Sequence, residues 1–338
     1  MDDIKKNKNP LFLILAVALG YLVWQTQTNS KLTVYCAHDS VFAESILNDF
    51  EHRMGIPVEV KFDTEATKSL GLVERIIRES RRPQCDVFWN NELLGTLDLA
   101  KRGLLEPHKG KGWERTPAQF RDDDGLWAGF GARMRMKIVN TQRADFEDPS
   151  SQRAEHFAFA KPLYGTTLTH FTALWSQWGP ARTKQWHADI RKAGAQFTNG
   201  NAMVRDLVAE GTCSAGWTDT DDFFDAKDAG KPVSASPVVL ENGATICIPN
   251  TVAIMKNANR PDLARKLADY LLSSRTELAL AKSKSRQIPL GPLTPDETAG
   301  LPAEVRELIP AAAKGVPLKG LLNARNECLE WLKAEYLK

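Results

Sequence analysis

Cys213-Ser-Ala-Gly-Trp-Thr-Asp-Thr-Asp-Asp-Phe-Phe224 joins an apolar segment to a helical pattern through three carboxylates and two hydroxyls. Residues 213–217 are small or apolar, which predicts a buried strand, and Phe223 and Phe224 begin a short helix. In open α/β sheets, ligands bind outside the carboxyl ends of strands, where these polar side chains lie. The stretch therefore predicts an α/β fold with a binding site at residues 218–222.

Two interpretations of these carboxylates stay open. Asp219 and Asp221 could ligate a metal ion or hold an amine, because carboxylate oxygens suit hard cations. Alternatively, Thr220 or Asp221 is the N-cap of the helix, and the other carboxylates are favourable near the positive end of its dipole.

The composition is that of a globular protein with room for two domains. Of the 338 residues, 43% are hydrophobic and 25% are charged. The formal net charge is +2 and Lys and Arg are scattered, which argues against a dedicated nucleic-acid-binding protein. The five Cys lie far apart without a C-x-x-C pair, so we expect buried thiols and neither a disulfide framework nor a zinc site.

Residues 1–30 have the pattern of a secretory signal. Lys5, Lys6 and Lys8 precede an apolar run over residues 11–24, which is short for a membrane span. The best candidate cleavage site, Thr28-Asn-Ser30, is not a clean Ala-x-Ala site, so an uncleaved N-terminal anchor is the alternative. In both cases we expect the rest of the chain in the periplasm or on the outer face of the cytoplasmic membrane.

The chain after residue 30 first alternates strands with helices. Three segments predict strands: residues 32–37, 56–62 and 85–89. Phe42, Ile46, Phe50 and Met54 recur every four residues and predict an amphipathic helix that ends at Gly55. This order predicts a parallel sheet with right-handed crossovers.

Extended passages separate this part from a second α/β unit: residues 126–140, 245–255 and 286–290. Such passages can carry the chain between two lobes. In the second unit, Gly165-Thr-Thr167 opens a helix, whose N–H groups and hydroxyls suit an anion. Arg133 could pair with that anion. The alternatives are N-capping by Thr166 and a solvated position for Arg133 or Arg135.

Several segments, in their order and spacing, resemble the iron(III)-type solute-binding proteins of ABC importers. They are Val34-Tyr-Cys-Ala-His-Asp39, Gly55-Ile56, Asp86-Val-Phe-Trp89, Gly103-Leu-Leu-Glu-Pro107, Pro249-Asn-Thr-Val252 and Tyr270-Leu-Leu-Ser273. The resemblance covers about residues 31–290 and implies an α/β, two-lobed periplasmic binding protein fold (type II), with crossing strands beside a ligand cleft. The implied lobes are residues 31–138 plus 248–287 and residues 139–247 plus 288–338.

The resemblance also implies a function. The protein would capture a solute, an iron(III)-type or other metal–anion complex, by hinge closure and deliver it to an ABC permease in the membrane. We expect a monomer with no nucleic-acid partner and no catalytic residues. The expected bound group is a metal ion with a synergistic anion at the Gly165 turn, and no other cofactor is implied.

Positions that hold metal ligands in ferric-binding relatives carry different polar residues here. His38 and Asp39 follow the first strand, and Asn91 and Glu92 follow the third. Where those relatives have a tyrosine pair, this chain has Asp219-Thr-Asp221. We therefore expect no tyrosinate–iron charge-transfer band, and an affinity that falls as carboxylates protonate, well below neutral pH. The expected metal ligands are Asp39, Glu92, Asp219 and Asp221.

The full expected ligand-binding set lies at strand ends and helix starts. It comprises His38, Asp39, Glu65, Asn90, Asn91, Glu92, Arg133, Thr166, Thr167, Asn201, Asp219, Thr220, Asp221 and Asp222.

Two other functions match parts of the sequence. Asp219-Thr-Asp221 resembles the Asp-x-Asp-x-Thr nucleophile motif of haloacid-dehalogenase-type phosphatases, but Phe223 replaces the threonine and the motif lies two-thirds along the chain. An uncleaved anchor would suit a membrane-tethered sensor domain of the same fold. The chain has no G-x-S-x-G motif, and solute binding is favoured over both alternatives.

Overall fold

A computed structural model describes residues 31–63, 70–143 and 156–337. Its strands are β1 (Leu32–Cys36), β2 (Val58–Phe62), β3 (Val87–Asn90), β4 (Leu105–Glu106), β5 (Ala128–Asn140), β6 (Phe157–Ala160), β7 (Gln196–Thr198), β8 (Ala215–Asp219), β9 (Val233–Pro237) and β10 (Cys247–Met255). Its helices are α1 (Ser40–Met54), α2 (Leu70–Arg78), α3 (Leu94–Lys101), α4 (Lys111–Arg115), α5 (Gly165–Trp178), α6 (Pro180–Lys192), α7 (Asn201–Ala209), α8 (Thr220–Asp228), α9 (Pro261–Leu271), α10 (Ser274–Lys282), α11 (Pro295–Ala299), α12 (Ala303–Ala312) and α13 (Leu322–Tyr336). Residues 1–30, where we expect the signal or anchor, lie outside the described ranges. Among the helices within those ranges, none is long and apolar enough to span a membrane.

The first half of the sheet comes from the β-α-β-α-β segment that the sequence predicts. β1 pairs in parallel with β2 on one side and with β3 on the other. On α1, Ile46 and Phe50 are buried against this sheet, as the four-residue spacing predicts. The helix ends at Gly55, whose φ of 65° lies in the left-handed region. The predicted parallel sheet is therefore confirmed.

Strand β5 belongs to both halves of the sheet. Its residues 128–134 pair with β10, and its residues 135–139 pair with β8. The strand order is β2-β1-β3-β10-β5-β8-β6-β7, with β4 beside β10 and β9 beside β5. The third extended passage joins here, since Ile288 forms a bridge with Ala132. The predicted crossing passages thus meet at β5. The exact residue bounds of the two lobes stay a prediction.

The second half of the sheet packs around a cluster of aromatic side chains. β6 pairs in parallel with β7 and β8. Trp217 on β8 contacts Phe157, Phe159 and Trp186, with ring centroids 5.0 to 5.7 Å apart. This rigid core fixes the end of β8, where the acidic residues begin.

All five Cys are buried free thiols: Cys36, Cys85, Cys213, Cys247 and Cys328. They pack as small apolar side chains, as the sequence analysis predicts. Burial raises the pKa of Cys213 to about 11, so this thiol is protonated at neutral pH.

Glu277 holds the crossing passages together. Its side chain is 1% exposed. Its carboxylate accepts hydrogen bonds from the N–H groups of Gly131 on β5 and of Leu290 and Gly291 in the third passage, at 3.0, 2.8 and 3.2 Å. Arg115 Nη1 donates to the same carboxylate at 2.6 Å. One buried anion therefore joins three separate segments.

We expect Glu277→Gln to lower the free energy of unfolding by about 3 kcal/mol, because it leaves the Arg115 charge without its buried partner. Chemical denaturation followed by tryptophan fluorescence would measure the change. Glu307→Gln, an exposed glutamate on α12, is the control and should change stability by less than about 0.5 kcal/mol. Equal effects of the two substitutions would contradict this role of Glu277.

Candidate functional site

A cleft of about 310 Å³ lies beside β5 and is lined by both halves of the molecule. Most of the predicted ligand residues line it: Asp39, Asn91, Glu92, Arg133, Thr166, Thr167, Asn201, Asp219, Asp221 and Asp222. They meet here because each lies directly after a strand, at the start of a helix, or on the crossing strand. The structure thus brings residues far apart in sequence to one polar site.

Three predicted residues are not brought into the cleft. His38 is buried and stacks on Trp89, with ring centroids 5.5 Å apart. Asn90 is buried and donates hydrogen bonds to Glu92 and Thr96. Thr220 is buried and accepts a hydrogen bond from the Met134 N–H at 3.2 Å, because its side chain turns towards β5. Glu65 lies outside the described residues.

Asp219 forms a buried ion pair with Arg135. Arg135 Nη1 lies 2.7 Å from Asp219 Oδ1, and the two side chains are 0% and 2% exposed. Thr166 Oγ1 and Asn201 Nδ2 donate to the other carboxylate oxygen at 2.6 and 2.9 Å. The alternative of a solvated Arg135 is therefore wrong. The charge of Asp219 is compensated within the protein, so Asp219 adds little negative charge for a ligand.

His170 supports this ion pair and does not line the cleft. Arg135 Nε donates to His170 Nδ1 at 3.4 Å, and the imidazole packs on Trp217 with ring centroids 4.1 Å apart. Burial holds the pKa of His170 well below its usual range, and the Arg135 charge lowers it further. A neutral imidazole accepts the guanidinium hydrogen bond and adds no second buried cation.

Asp221 and Asp222 line the cleft and, unlike Asp219, do not pair with Arg135. Asp221 Oδ2 lies 3.6 Å from Arg133 Nη1, and Asp222 accepts a hydrogen bond from Thr218 Oγ1 at 2.9 Å. Asp219, Asp221 and Asp222 can each place one carboxylate oxygen within 4.8 Å of the others. Burial, and after it the neighbouring charges of Asp221 and Asp219, raise the pKa of Asp222 to about 7; burial also raises the pKa of Asp221. The cluster can hold a cation.

Glu92 caps helix α3 from inside the site. Its carboxylate accepts hydrogen bonds from the N–H groups of Leu94 and Gly95 at 2.6 and 2.7 Å. Burial raises the pKa of Glu92 although these bonds favour the charged form. Glu92 lines the cleft, but much of its hydrogen-bonding capacity is used by the helix.

Beside the acidic cluster, the cleft carries positive and donor groups. Gly165, Thr166 and Thr167 form the first turn of α5, and no side chain caps this helix at Tyr164. N-capping by Thr166 is therefore not observed. The first N–H groups of a helix have no intrahelical partner, so this turn offers donors to an anion.

Lys161 and Asn199 also line the cleft, although sequence reasoning did not assign them to it. Lys161 Nζ donates to Asn199 Oδ1 at 3.2 Å, and the Tyr164 hydroxyl donates to the Asn199 carbonyl at 2.8 Å. Lys161 directly follows β6 and Asn199 directly follows β7, and this position after a strand was the sequence signal that could have identified them. Tyr164 is the single tyrosine among the residues that line this cleft.

Two α/β halves, joined by crossing strands around a charged cleft, define a protein of the two-lobed periplasmic binding type. The chain belongs to the family of bacterial extracellular solute-binding proteins, whose model matches residues 45–307. It is similar to iron uptake protein A2 of Synechocystis sp., with 24% identity over 251 residues that cover 66% of this chain and 71% of the relative.

Solved structures share the same fold. Apo ferric ion-binding protein A of Pasteurella haemolytica superposes with a TM-score of 0.76 at 19% identity, over 90% of this chain and 97% of that one. The Trichodesmium protein IdiA (FutA), in complex with iron and citrate, gives a TM-score of 0.73 at 17% identity, over 90% and 99%. The expected two-lobed α/β fold is thereby confirmed.

We expect Asp219→Asn to destabilise the protein by about 3 to 5 kcal/mol, because it leaves Arg135 as a buried charge without its partner. Asp221→Asn should cost much less, since the Asp221 side chain is 24% exposed and lies 3.6 Å from Arg133, beyond hydrogen-bond distance. Guanidinium unfolding of both variants measures the difference. Similar losses would show that Asp219 is no more structural than Asp221.

The raised pKa of Asp222 predicts a pH-dependent stability of the ligand-free protein. A carboxyl group whose pKa is raised by folding contributes stability at acidic pH and loses that contribution as pH rises through about 7. We expect Asp222→Asn to raise the thermal midpoint above pH 7 by about 2 to 4 °C, which corresponds to roughly 1 kcal/mol. The difference should vanish near pH 4. A constant difference across this range would contradict the assignment.

Proposed function

We propose that this chain is the extracytoplasmic solute-binding component of an ABC importer, which captures a small charged solute in the cleft and delivers it to a membrane permease. The observation that carries the proposal is the cleft itself, since Asp39, Asn91 and Glu92 approach it from one half and Thr166 and Asp221 from the other. A ligand that contacts both halves draws them together, which is how hinge closure is driven. Membership of the extracellular solute-binding family supports this role.

The solute that the cleft suits combines a positive centre with an anion. Asp221 and Asp222 form the negative part of the wall, and Lys161 with the first turn of α5 forms the positive part. A metal–anion complex has both features, and the relatives named for iron uptake and solved with iron and citrate support this form. With one tyrosine at the cleft, carboxylates rather than a phenolate pair would hold a metal.

The proposal places the protein as a monomer in the periplasm or at the outer face of the cytoplasmic membrane, with residues 1–30 as signal or anchor. No observation favours a sensor role. The phosphatase alternative loses its support because Asp219, the first aspartate of that motif, is buried in the Arg135 ion pair and cannot act as an exposed nucleophile.

The decisive experiment is native mass spectrometry of the protein from its own host, combined with metal analysis. We expect a mass increment from a bound small solute, and no visible tyrosinate–iron band on ferric loading. Protein that carries no solute, and that binds none from host growth medium or periplasmic extract, would overturn the proposed function.

A further prediction concerns Asp221, one of the acidic residues that line the cleft. Asp221→Asn should weaken binding of the native solute by about 10- to 100-fold, the effect of losing one charged contact. Asp225→Asn is the matched control, because Asp225 lies on the same helix with its side chain 69% exposed. Since Asp219 is structural, a double substitution with Asp219 would confuse folding with binding. Unchanged affinity of the Asp221 variant in isothermal titration would contradict the site.

A further inference from the structure

Two charged side chains in the cleft have buried atoms without hydrogen-bond partners among the described residues. They are Nη2 of Arg133 and Oδ1 of Asp221. Arg133 is 9% exposed and both residues line the cleft. The two side chains face each other at 3.6 Å, which is too long for a hydrogen bond. Buried charged atoms without hydrogen bonds cost free energy, so this arrangement indicates a ligand that supplies both partners. Arg133 requires an acceptor, and Asp221 requires a donor.

The acceptor and donor of such a ligand must lie close together. Thr166, in the first turn of α5, donates to Asp219 at 2.6 Å, and the carboxylates of Asp219, Asp221 and Asp222 lie within 4.8 Å of one another. The anion-binding turn and the acidic cluster are therefore neighbours. A molecule with its two charges only a few bonds apart can contact both.

The acidic cluster suits an ammonium group better than a metal ion. Arg133 Nη1, a fixed positive charge, lies 3.6 Å from Asp221 and repels a multivalent cation there more strongly than a singly charged ammonium. Asp219 is neutralised by Arg135 at 2.7 Å. A metal site would need several uncompensated oxygens, whereas an ammonium carries one charge and three donors, which Asp221 and Asp222 can accept.

The hydrogen-bond donors of the cleft suit a phosphoryl group. Lys161, the N–H groups of the first turn of α5 and Arg133 Nη2 converge on the cleft. Several donors and two cationic side chains exceed what one carboxylate requires, and they match the three acceptor oxygens of a phosphate or phosphonate.

We propose that the solute is a short aminoalkyl phosphate or phosphonate, whose ammonium is bound by Asp221 and Asp222 and whose phosphoryl group is bound by Arg133, Lys161 and the first turn of α5. This inference rests on the proposed function and specifies its substrate class. It departs from a metal complex, because both charges of the ligand are then met by charges already in the cleft.

Isothermal titration of the full-length protein at pH 8 with O-phosphoethanolamine tests the proposal. Ethanolamine and ethyl phosphate each lack one charged end, and β-alanine replaces the phosphoryl group with a carboxylate. We expect O-phosphoethanolamine to bind at least 100-fold more tightly than any of the three. Ferric citrate, titrated in parallel, should neither match it nor compete with it.

Substitutions test which residues bind the ammonium end and which bind the phosphoryl end of the ligand. Asp221→Asn should reduce the affinity for O-phosphoethanolamine to that for ethyl phosphate, and Lys161→Gln should weaken both phosphoryl compounds by the same factor. Asp225→Asn, the exposed control, should change neither. A variant that does not fold is recognised by its lost thermal transition, and the titrations of the wild-type chain then decide alone.

Each other outcome of the titrations overturns a defined part of the proposal. Tight ferric citrate binding without O-phosphoethanolamine binding would overturn the zwitterion and leave the proposed function in place. Tighter binding of β-alanine would overturn the phosphoryl assignment. Failure of all these probes, together with a different co-purified solute, would overturn the substrate class alone. Failure without any co-purified solute would overturn the proposed function as well.

Discussion

The buried ion pair between Arg135 and Asp219 determines the geometry of the cleft. Arg135 lies on β5 where that strand passes from β10 to β8, and Asp219 ends β8. Their pair also takes in Thr166 at the start of α5 and Asn201 at the start of α7. Two helices and two strands are thus oriented by one 2.7 Å contact. Because a buried pair costs desolvation, its main effect is to select this one arrangement of the four elements.

The charges that remain in the cleft follow from that arrangement. Once Arg135 compensates Asp219, the charged side chains left to meet a ligand include Asp221, Asp222, Arg133, Lys161 and, from the other half, Asp39. Crowded carboxylates in a partly buried site hold protons more firmly, which explains why the pKa of Asp222 reaches about 7. The expectation from the sequence that affinity falls well below neutral pH stays a prediction, and the raised pKa of Asp222 argues for a higher pH. A cation at Asp222 would compete with a proton near neutral pH.

The sequence predicts the fold well because its signals are local. The spacing of Ile46 and Phe50, and Gly55 after them, predicts the first helix and its end. The positions of Asn91 and Asp221 after buried strands place them at the cleft, since strand ends are topologically fixed. His38 also follows a strand, but its ring stacks on Trp89 instead of lining the cleft, and no local pattern in the sequence distinguishes these two orientations.

The sequence alone could not predict which distant residues pair with each other. Nothing local distinguishes Asp219 from Asp221, yet one is paired with Arg135, 84 residues away, and the other faces the ligand site. Lys161 had a usable signal, its position directly after β6, but a lysine in a turn is more often solvated. Residue 65 and residues 1–30 lie outside the described ranges, so the expectations for them stay predictions.

The crossing strand also shows where the two halves can bend. At Gly131 the β5–β10 ladder is interrupted, since Phe130 pairs with Asn250 and Ala132 with Pro249. The Gly131 N–H instead donates to Glu277 at 3.0 Å, and its carbonyl accepts from the Asn250 side chain. Its φ of 41° is in the left-handed region, and a Cβ there would approach Leu280 Cδ1 to 2.8 Å, so glycine is required. Bending at this residue breaks no strand–strand hydrogen bond. Closure of the two halves by bending here would change the hydrogen bonds of Gly131 to Glu277 and Asn250, and would so couple the stability of the crossing to the capture of a solute.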